Sequence, residues 1–244
     1  MKLESLPDTL YTNCMGGLRM DKLEIYNQLK EEIIDLKIEP GALISENEIS
    51  RRFQVSRTPV RDVFLRLCND GLLEVLPQRG TKVSLIDMEL VMATINMRTI
   101  VEIQILKDGI ERRTPAQLQQ LKTDLAHQRE AIAKQRTPDE FYALDSEFHE
   151  HIFAIAGQRA MWQIINQMKV HYSRFRMLDV KANFSMNELL HQHEEIVEIV
   201  EKRQRERCGE VMRYHLEGGV RRLHDRIQGE FSRYFKLPQV EEEA

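Results

Sequence analysis

The chain has 244 residues, 42% hydrophobic and 30% charged, with 11 glycines, 7 prolines and a net charge of −4, enough chain for two ordinary domains that each bury a core. The slightly acidic balance excludes a surface coated in basic charge, so any nucleic-acid contact must be local. Cys14, Cys68 and Cys208 are too scattered for a disulfide framework or zinc ribbon; no stretch approaches the ~18 apolar residues of a membrane span, and the first residues lack a signal peptide's apolar run, which fits a cytoplasmic protein.

Residues 1–18 contain Pro7, Gly16 and Gly17 and show no clean period, so they read as a flexible tail before a first domain over 19–86. A helix is expected from Asp21, where Glu24 completes a capping box, with Leu23, Tyr26, Leu29, Ile33 and Leu36 on one face and an end before Pro40-Gly41. Ser45 with Glu48 caps a short second helix bearing Ile49 and Phe53. The connection Gln54 to Arg57 leads to a third, with Val60, Phe64 and Leu67 facing inward. Ser56 or Thr58 caps that helix; if Thr58, Pro59 takes the first helical position, where a missing N–H costs nothing.

The runs 72–76 and 81–85 flank Pro77-Gln78-Arg79-Gly80 and read as two short strands around a turn. Three helices followed by a small β-hairpin wing make a winged helix-turn-helix. From Asp87 to about Phe235 helix follows helix, with breaks near Arg113-Thr114-Pro115, Thr137-Pro138, Gly157 and Asn183-Phe184-Ser185. The expected fold class is therefore mainly α: the winged domain, then an all-α helical bundle over 87–235. Residues 236–244, with Pro238 and Glu241-Glu242-Glu243, read as a flexible acidic end.

Positive charge is concentrated in one place. Arg51, Arg52, Arg57, Arg61 and Arg66 lie within sixteen residues that hold a single acid, Asp62. Arg57 and Arg61 stand one turn apart at the leading end of the third helix, the end that enters the major groove in this motif, where arginine can read guanine bidentately. Ser56 and Thr58, with the free N–H groups of the helix start, can hold a phosphate, and Arg79 at the wing tip can reach the backbone or minor groove.

In the second half, periodicity sorts the eight histidines. Asp145 and His149 share a face with Phe141, Phe148 and Ile152; His193 is followed at helical spacing by Ile196, Val197 and Val200; His215 lies on a stripe with Cys208, Val211 and Met212. His151 and His191 fall among glutamates instead. Singly, each inward imidazole is explained by a hydrogen-bonded core residue. Together, one carboxylate and three imidazoles have their readiest common solution in a divalent cation, zinc or nickel, with open positions for water or a ligand carboxylate. Arg98 can pair with such a carboxylate, or with Glu102 one turn on; Arg174 and Arg176 are weaker candidates.

The stretch Val55-Ser56-Arg57-Thr58-Pro59-Val60-Arg61, followed by Leu67, Gly71-Leu72 and Arg79-Gly80, closely resembles the winged helix-turn-helix of the GntR family of repressors. That resemblance implies a homodimer on a short palindromic double-stranded DNA operator, with Arg57 and Arg61 near bases. Some members carry a DNA-contacting arginine at the position of Asn47, a contact that Arg51 or Arg52 would replace here. Arg98 with Glu102, Asp145-Ser146-Glu147-Phe148-His149, Gln192-His193-Glu194-Glu195-Ile196 and Tyr214-His215-Leu216 resemble the FCD ligand-binding domain of the FadR-like subgroup. In metal-binding members these positions supply the ligands, and the effector is a small organic or sugar acid. Gln192 departs from the more usual glutamate, without removing a ligand. Two rivals remain at this stage: a metal-dependent enzyme acting on a small carboxylate, and a metal sensor without an organic effector.

Overall fold

The first helix, α1 (Lys22–Ile34), begins where the capping box places it: Glu24 N donates to Asp21 Oδ1 and Asp21 N to Glu24 Oε2, each at 2.8 Å. Its buried face runs through Ile25, Tyr26, Leu29 and Ile33, while Leu23, expected on that face, is 52% exposed. The structure is a computed structural model that describes residues 20–183 and 186–237, apart from the side chain of Asn183. The expected tail at 1–18 and most of the expected acidic end lie outside the described residues.

Helix α2 (Glu46–Phe53) is capped by Ser45, whose Oγ accepts from Glu48 N at 3.1 Å, and ends at Gln54 in the left-handed region, φ 54°. Helix α3 (Arg57–Asn69) takes Ser56 rather than Thr58 as its cap. Pro59 is then the third helical residue, still among the positions whose N–H has no intrahelical acceptor, so its ring costs no hydrogen bond. Strands β2 (Leu73–Leu76) and β3 (Gly80–Val83) pair antiparallel through a turn in which Gln78 and Gly80 have φ of 61° and 103°. A further strand, β1 (Leu43–Ile44), adds to the other edge of β3. Two residues are too few for alternation to register, which is why the sequence does not announce it. Leu29, Val60, Phe64, Leu67, Leu72 and Val83 form the centre of this domain's core.

After β4 (Ile86–Asp87) come α4 (Met88–Arg112), α5 (Pro115–Ala133), α6 (Pro138–Ile155), α7 (Arg159–Met168), α8 (Val170–Asn183), α9 (Met186–Lys202) and α10 (Cys208–Gln228). Thr114 with Gln117 and Thr137 with Glu140 form capping boxes, with proline at each helix start, so the breaks expected there are explained locally. A break at Lys169, between α7 and α8, carries no proline or glycine and was not expected. Nor is residue 236 a loose end: β5 (Phe235–Lys236) runs parallel to β4, pairing Ile86 with Phe235, and Lys236 Nζ lies 2.9 Å from Asp87 Oδ2.

Helix α8 joins the two halves. Val170 packs into the core of the winged domain, and His171 Nδ1 accepts from Asp87 N at 3.0 Å. Arg174 is fully buried and donates to Ser84 O at 2.7 Å and Ser84 Oγ at 3.1 Å; farther along, Lys181 Nζ donates to Asp35 O. Neither Arg174 nor Arg176 is surface charge; both are buried.

Burial, reinforced by Arg174, pushes His171 down to about 4, so the fold holds it neutral. Asp87 and Glu74 pull the other way, and Lys236 adds to the depression. The contribution of this junction is therefore complete above the ordinary histidine pKa of ~6.5 and is lost as pH falls through about 4, where the ring binds the proton and Nδ1 stops accepting. Hydrogen exchange at the Asp87 amide, corrected for its intrinsic rate, should accelerate between pH 7 and pH 4.5. A His171→Gln variant should lose that pH dependence.

Candidate nucleic-acid interface and metal centre

The leading turn of α3 stands clear of the protein. Arg57, Thr58 and Arg61 are exposed and line an open concavity together with Glu46, Asp62 and Leu65. The Arg57 side chain is 66% exposed, and its Nη2 lies 3.3 Å from Glu46 Oε2, a surface pair weak enough for a phosphate or base edge to displace. Arg61 makes no ion pair among the described residues. Ser56 makes no side-chain cap bond, which leaves its hydroxyl and the first amides of α3 available to a phosphate oxygen. Arg79 is exposed at the tip of the wing, and Arg51 is exposed with Nε 3.3 Å from Asn47 O. Arg52 is committed elsewhere: both its Nη atoms donate to Glu32, tying α2 to α1.

The second site lies inside the helical bundle. Asp145 and His149 on α6, His193 on α9 and His215 on α10 are all buried, and their donor atoms lie within 4.8 Å of one another. The orientation of the rings is fixed from behind. Gln192 Nε2 donates to Glu188 Oε1 at 3.0 Å and Gln128 Nε2 to Leu144 O at 3.4 Å, so each amide turns its oxygen toward a histidine. Gln192 Oε1 accepts from His215 Nδ1 at 3.0 Å, and Gln128 Oε1 accepts from His193 Nδ1 at 2.8 Å. Both rings are thereby held as Nδ1–H tautomers, with the Nε2 lone pairs aimed at the centre.

His149 completes the arrangement. Its Nδ1 is 2.8 Å from Glu102 Oε2, close contact at an angle outside hydrogen-bonding geometry, and its Nε2 is 3.0 Å from His215 Nε2. His193 Nε2 has no hydrogen-bond partner among the described residues and faces Asp145 Oδ1 at 3.4 Å. Burial lowers His193 to about 3 and His215 well below the ordinary imidazole value, so both are neutral. Burial disfavours charge on Asp145 as well, yet the Arg176 guanidinium, with Arg98 adding to it, holds it down at about 2. An ionised carboxylate, faced by Arg176, and the Nε2 lone pairs of His193 and His215 thus converge inside the bundle, a donor set that suits a divalent cation. Two nitrogens bound ~2.1 Å from one ion at about a right angle stand ~3 Å apart, so the His149–His215 spacing suits a shared metal.

The helical half from 93 to 218 matches the FCD domain family, and residues 22–83 match the bacterial regulatory proteins of the gntR family. The HTH-type transcriptional repressor RspR of Escherichia coli K12 is 34% identical over 194 residues, 80% of this chain and 85% of that one. The chain belongs to the GntR family. The gluconate operon transcriptional repressor of Bacillus licheniformis is 25% identical to this GntR regulator, over 73% of the chain and 75% of the relative. Among solved structures, a GntR transcriptional regulator from Rhodococcus sp. RHA1 superposes with a TM-score of 0.68 at 22% identity, covering 83% of this chain and 97% of that one. McbR/YncC of E. coli superposes at 0.66 and 19%, covering 84% and 97%. These relatives make the chain a transcription regulator rather than an enzyme.

Within this GntR regulator the inward residues chosen by periodicity converge, and His191, left out by that reading, is 82% exposed. Arg98 makes the pair with Glu102 that spacing allowed, Nε to Oε1 at 2.5 Å, while its Nη2 is buried with no acceptor. Sequence reasoning missed Gln128 and Lys169, because their roles depend on partners on other helices. It also undervalued Arg176, whose Nη2 lies 3.3 Å from Asp145 Oδ1 and Nη1 3.3 Å from Asp179 Oδ2. Removing one member of a buried, hydrogen-bonded charge pair costs ~3–5 kcal/mol. Arg176→Met should therefore lower the urea midpoint of the helical domain, followed through the fluorescence of the single tryptophan, Trp162. An unchanged midpoint would mean Asp145 keeps its charge without Arg176.

Proposed function

We propose that this GntR regulator is a ligand-responsive repressor that binds a palindromic operator as a homodimer. In this reading it senses a small organic or sugar acid at a divalent ion, zinc or nickel, held by Asp145, His149, His193 and His215. The convergence of those four side chains, with the outer nitrogens of His193 and His215 held by Gln128 and Gln192, is the observation that carries the effector half. When bound, the ion supplies a Lewis-acidic anchor with open positions for a carboxylate. The protein's part is to keep the ligand nitrogens unprotonated, exclude water, and offer Arg98 Nη2 to the effector's oxygens.

On the DNA side, Arg57 and Arg61 would read base edges, Ser56 and Thr58 would fix a phosphate, Arg51 would contact the backbone, and Arg79 would follow from the wing. Arg52, engaged by Glu32, would contribute only after leaving that pair. Exposed Ile164 and Met168, one turn apart on α7, offer an apolar stripe for a second copy. That RspR and the gluconate operon protein are repressors supports repression as the mode. A regulator of this kind works in the cytoplasm, where the chromosome is. Coupling requires only that effector-bound and effector-free arrangements differ in operator affinity, with ~1.4 kcal/mol giving a tenfold change.

Gel shifts on the promoter beside the protein's own gene test the DNA half. Arg57→Ala/Arg61→Ala should abolish sequence-selective binding, and retention of it would overturn the assignment. For the ion, elemental analysis should find about one metal per chain in the wild type and a near-total loss in His149→Ala. Gln192→Leu, which frees the His215 tautomer, should weaken metal affinity ~10- to 100-fold against a chelating dye. Operator affinity that tracks metal concentration with no response to any acid would favour a metal sensor instead.

A further inference from the structure

Lys169 closes α7 and immediately precedes α8, and its side chain is turned inward, leaving the residue 7% exposed. Its Nζ sits 4.6 Å from the centroid of the Trp162 ring and 5.7 Å from that of Tyr142. Among the described residues no carboxylate or carbonyl takes a hydrogen bond from it. A buried ammonium on aromatic faces alone is costly, since cation–π attraction recovers only part of the lost hydration. Burial lowers Lys169 to about 7, and Arg98 close by adds to that.

The deficiency extends beyond one residue. Arg98 Cζ lies 5.7 Å from the same Trp162 ring, and Arg98 Nη2, Trp162 Nε1 and Thr99 Oγ1 are all buried without a hydrogen-bond partner among the described residues. Trp162 stacks on His149 with centroids 5.8 Å apart, so this set of unanswered donors adjoins the imidazole cluster. Charge points the same way. Arg98, Lys169 and Arg176 meet Glu102, Asp145 and Asp179, and Asp179 also pairs with Arg222, whose second partner is Glu188, so cations and carboxylates balance without an ion. A divalent ion would therefore leave the network net positive, and a single carboxylate would offset only part of that.

We propose that the effector carries two anionic groups, and that Lys169 and Arg98 take the one farther from the ion, making Lys169 the residue that selects dianionic acids over monoanionic ones. The inference rests on the reading that the ion anchors the first carboxylate. The second group is a carboxylate or a phosphate, either of which accepts from several donors at once. Its position has a mechanical consequence: Lys169 is followed directly by Val170, in the core of the winged domain, and His171, which accepts from Asp87 N. The distal anion therefore binds at the residue where α8 enters the DNA-binding half.

Calorimetry on the full-length, metal-loaded protein tests this with matched probes: succinate against monomethyl succinate, malate against lactate, and 2-phosphoglycolate against glycolate. At least one dianion should bind about tenfold or more tighter than its monoanionic counterpart. A preference in the phosphoglycolate pair alone identifies a phosphate, and one in the other pairs a carboxylate. The preference should fall to about twofold or less in Lys169→Met and survive in Lys169→Arg, with metal content unchanged and the Trp162-reported unfolding midpoint not lowered in either. Equal binding within every pair, no dianion binding by metal-loaded protein, or a preference that survives Lys169→Met overturns the proposal. Failure of the underlying reading looks different: the purified protein holds no metal, or His149→Ala leaves acid binding intact.

Discussion

Two arginines two positions apart on α8 are buried with opposite obligations. Arg174 donates to Ser84 at the base of the wing, and Arg176 faces Asp145 in the candidate metal centre. At ~100° per residue, positions i and i+2 point to nearly opposite sides of a helix, so α8 is bound on one side to the DNA-reading half and on the other to the site inside the bundle. Neither guanidinium can leave its place cheaply, since each would strand buried acceptors or charge. A change at Asp145 thus has a short, rigid route to the wing through a single helical element.

The candidate centre depends on the same economy of buried polar groups. Glutamine amides behind His193 and His215 are themselves oriented by Leu144 O and Glu188, so the tautomer of each of these two rings is decided two hydrogen bonds away. Gln192 suffices in its place because an acceptor oxygen is all that the Nδ1–H of His215 requires. The Arg98–Glu102 pair leaves room for both readings that the sequence set against each other. Nε is committed to Glu102, and Nη2 remains available to a ligand.

Local signals carried most of the architecture. Capping residues at Asp21, Ser45, Thr114 and Thr137 act within one turn of their own helices, so they are legible without knowledge of the fold. The turn at Gln78 to Gly80 and the arginines of α3 belong to the same class. Leu23 was misplaced because adjacent apolar residues compete for one face, and packing against α3 decided in favour of Ile25. The break at Lys169 has no breaker residue; the chain turns there because Val170 is drawn into the core of the other domain.

By itself the sequence determined the mainly α fold, the arginine pair at the start of α3 and the inward face of His149, His193 and His215, since all of these follow from spacing along one segment of chain, and its motifs carried the family resemblance. The tertiary structure alone decided that α6, α9 and α10 bring those histidines to one point, that Gln128 stands behind His193, that Arg52 belongs to Glu32, and that Lys169 lies buried beside Trp162. Those facts depend on contacts between residues far apart in the chain, where helical periodicity gives a direction for a side chain but not what it will meet.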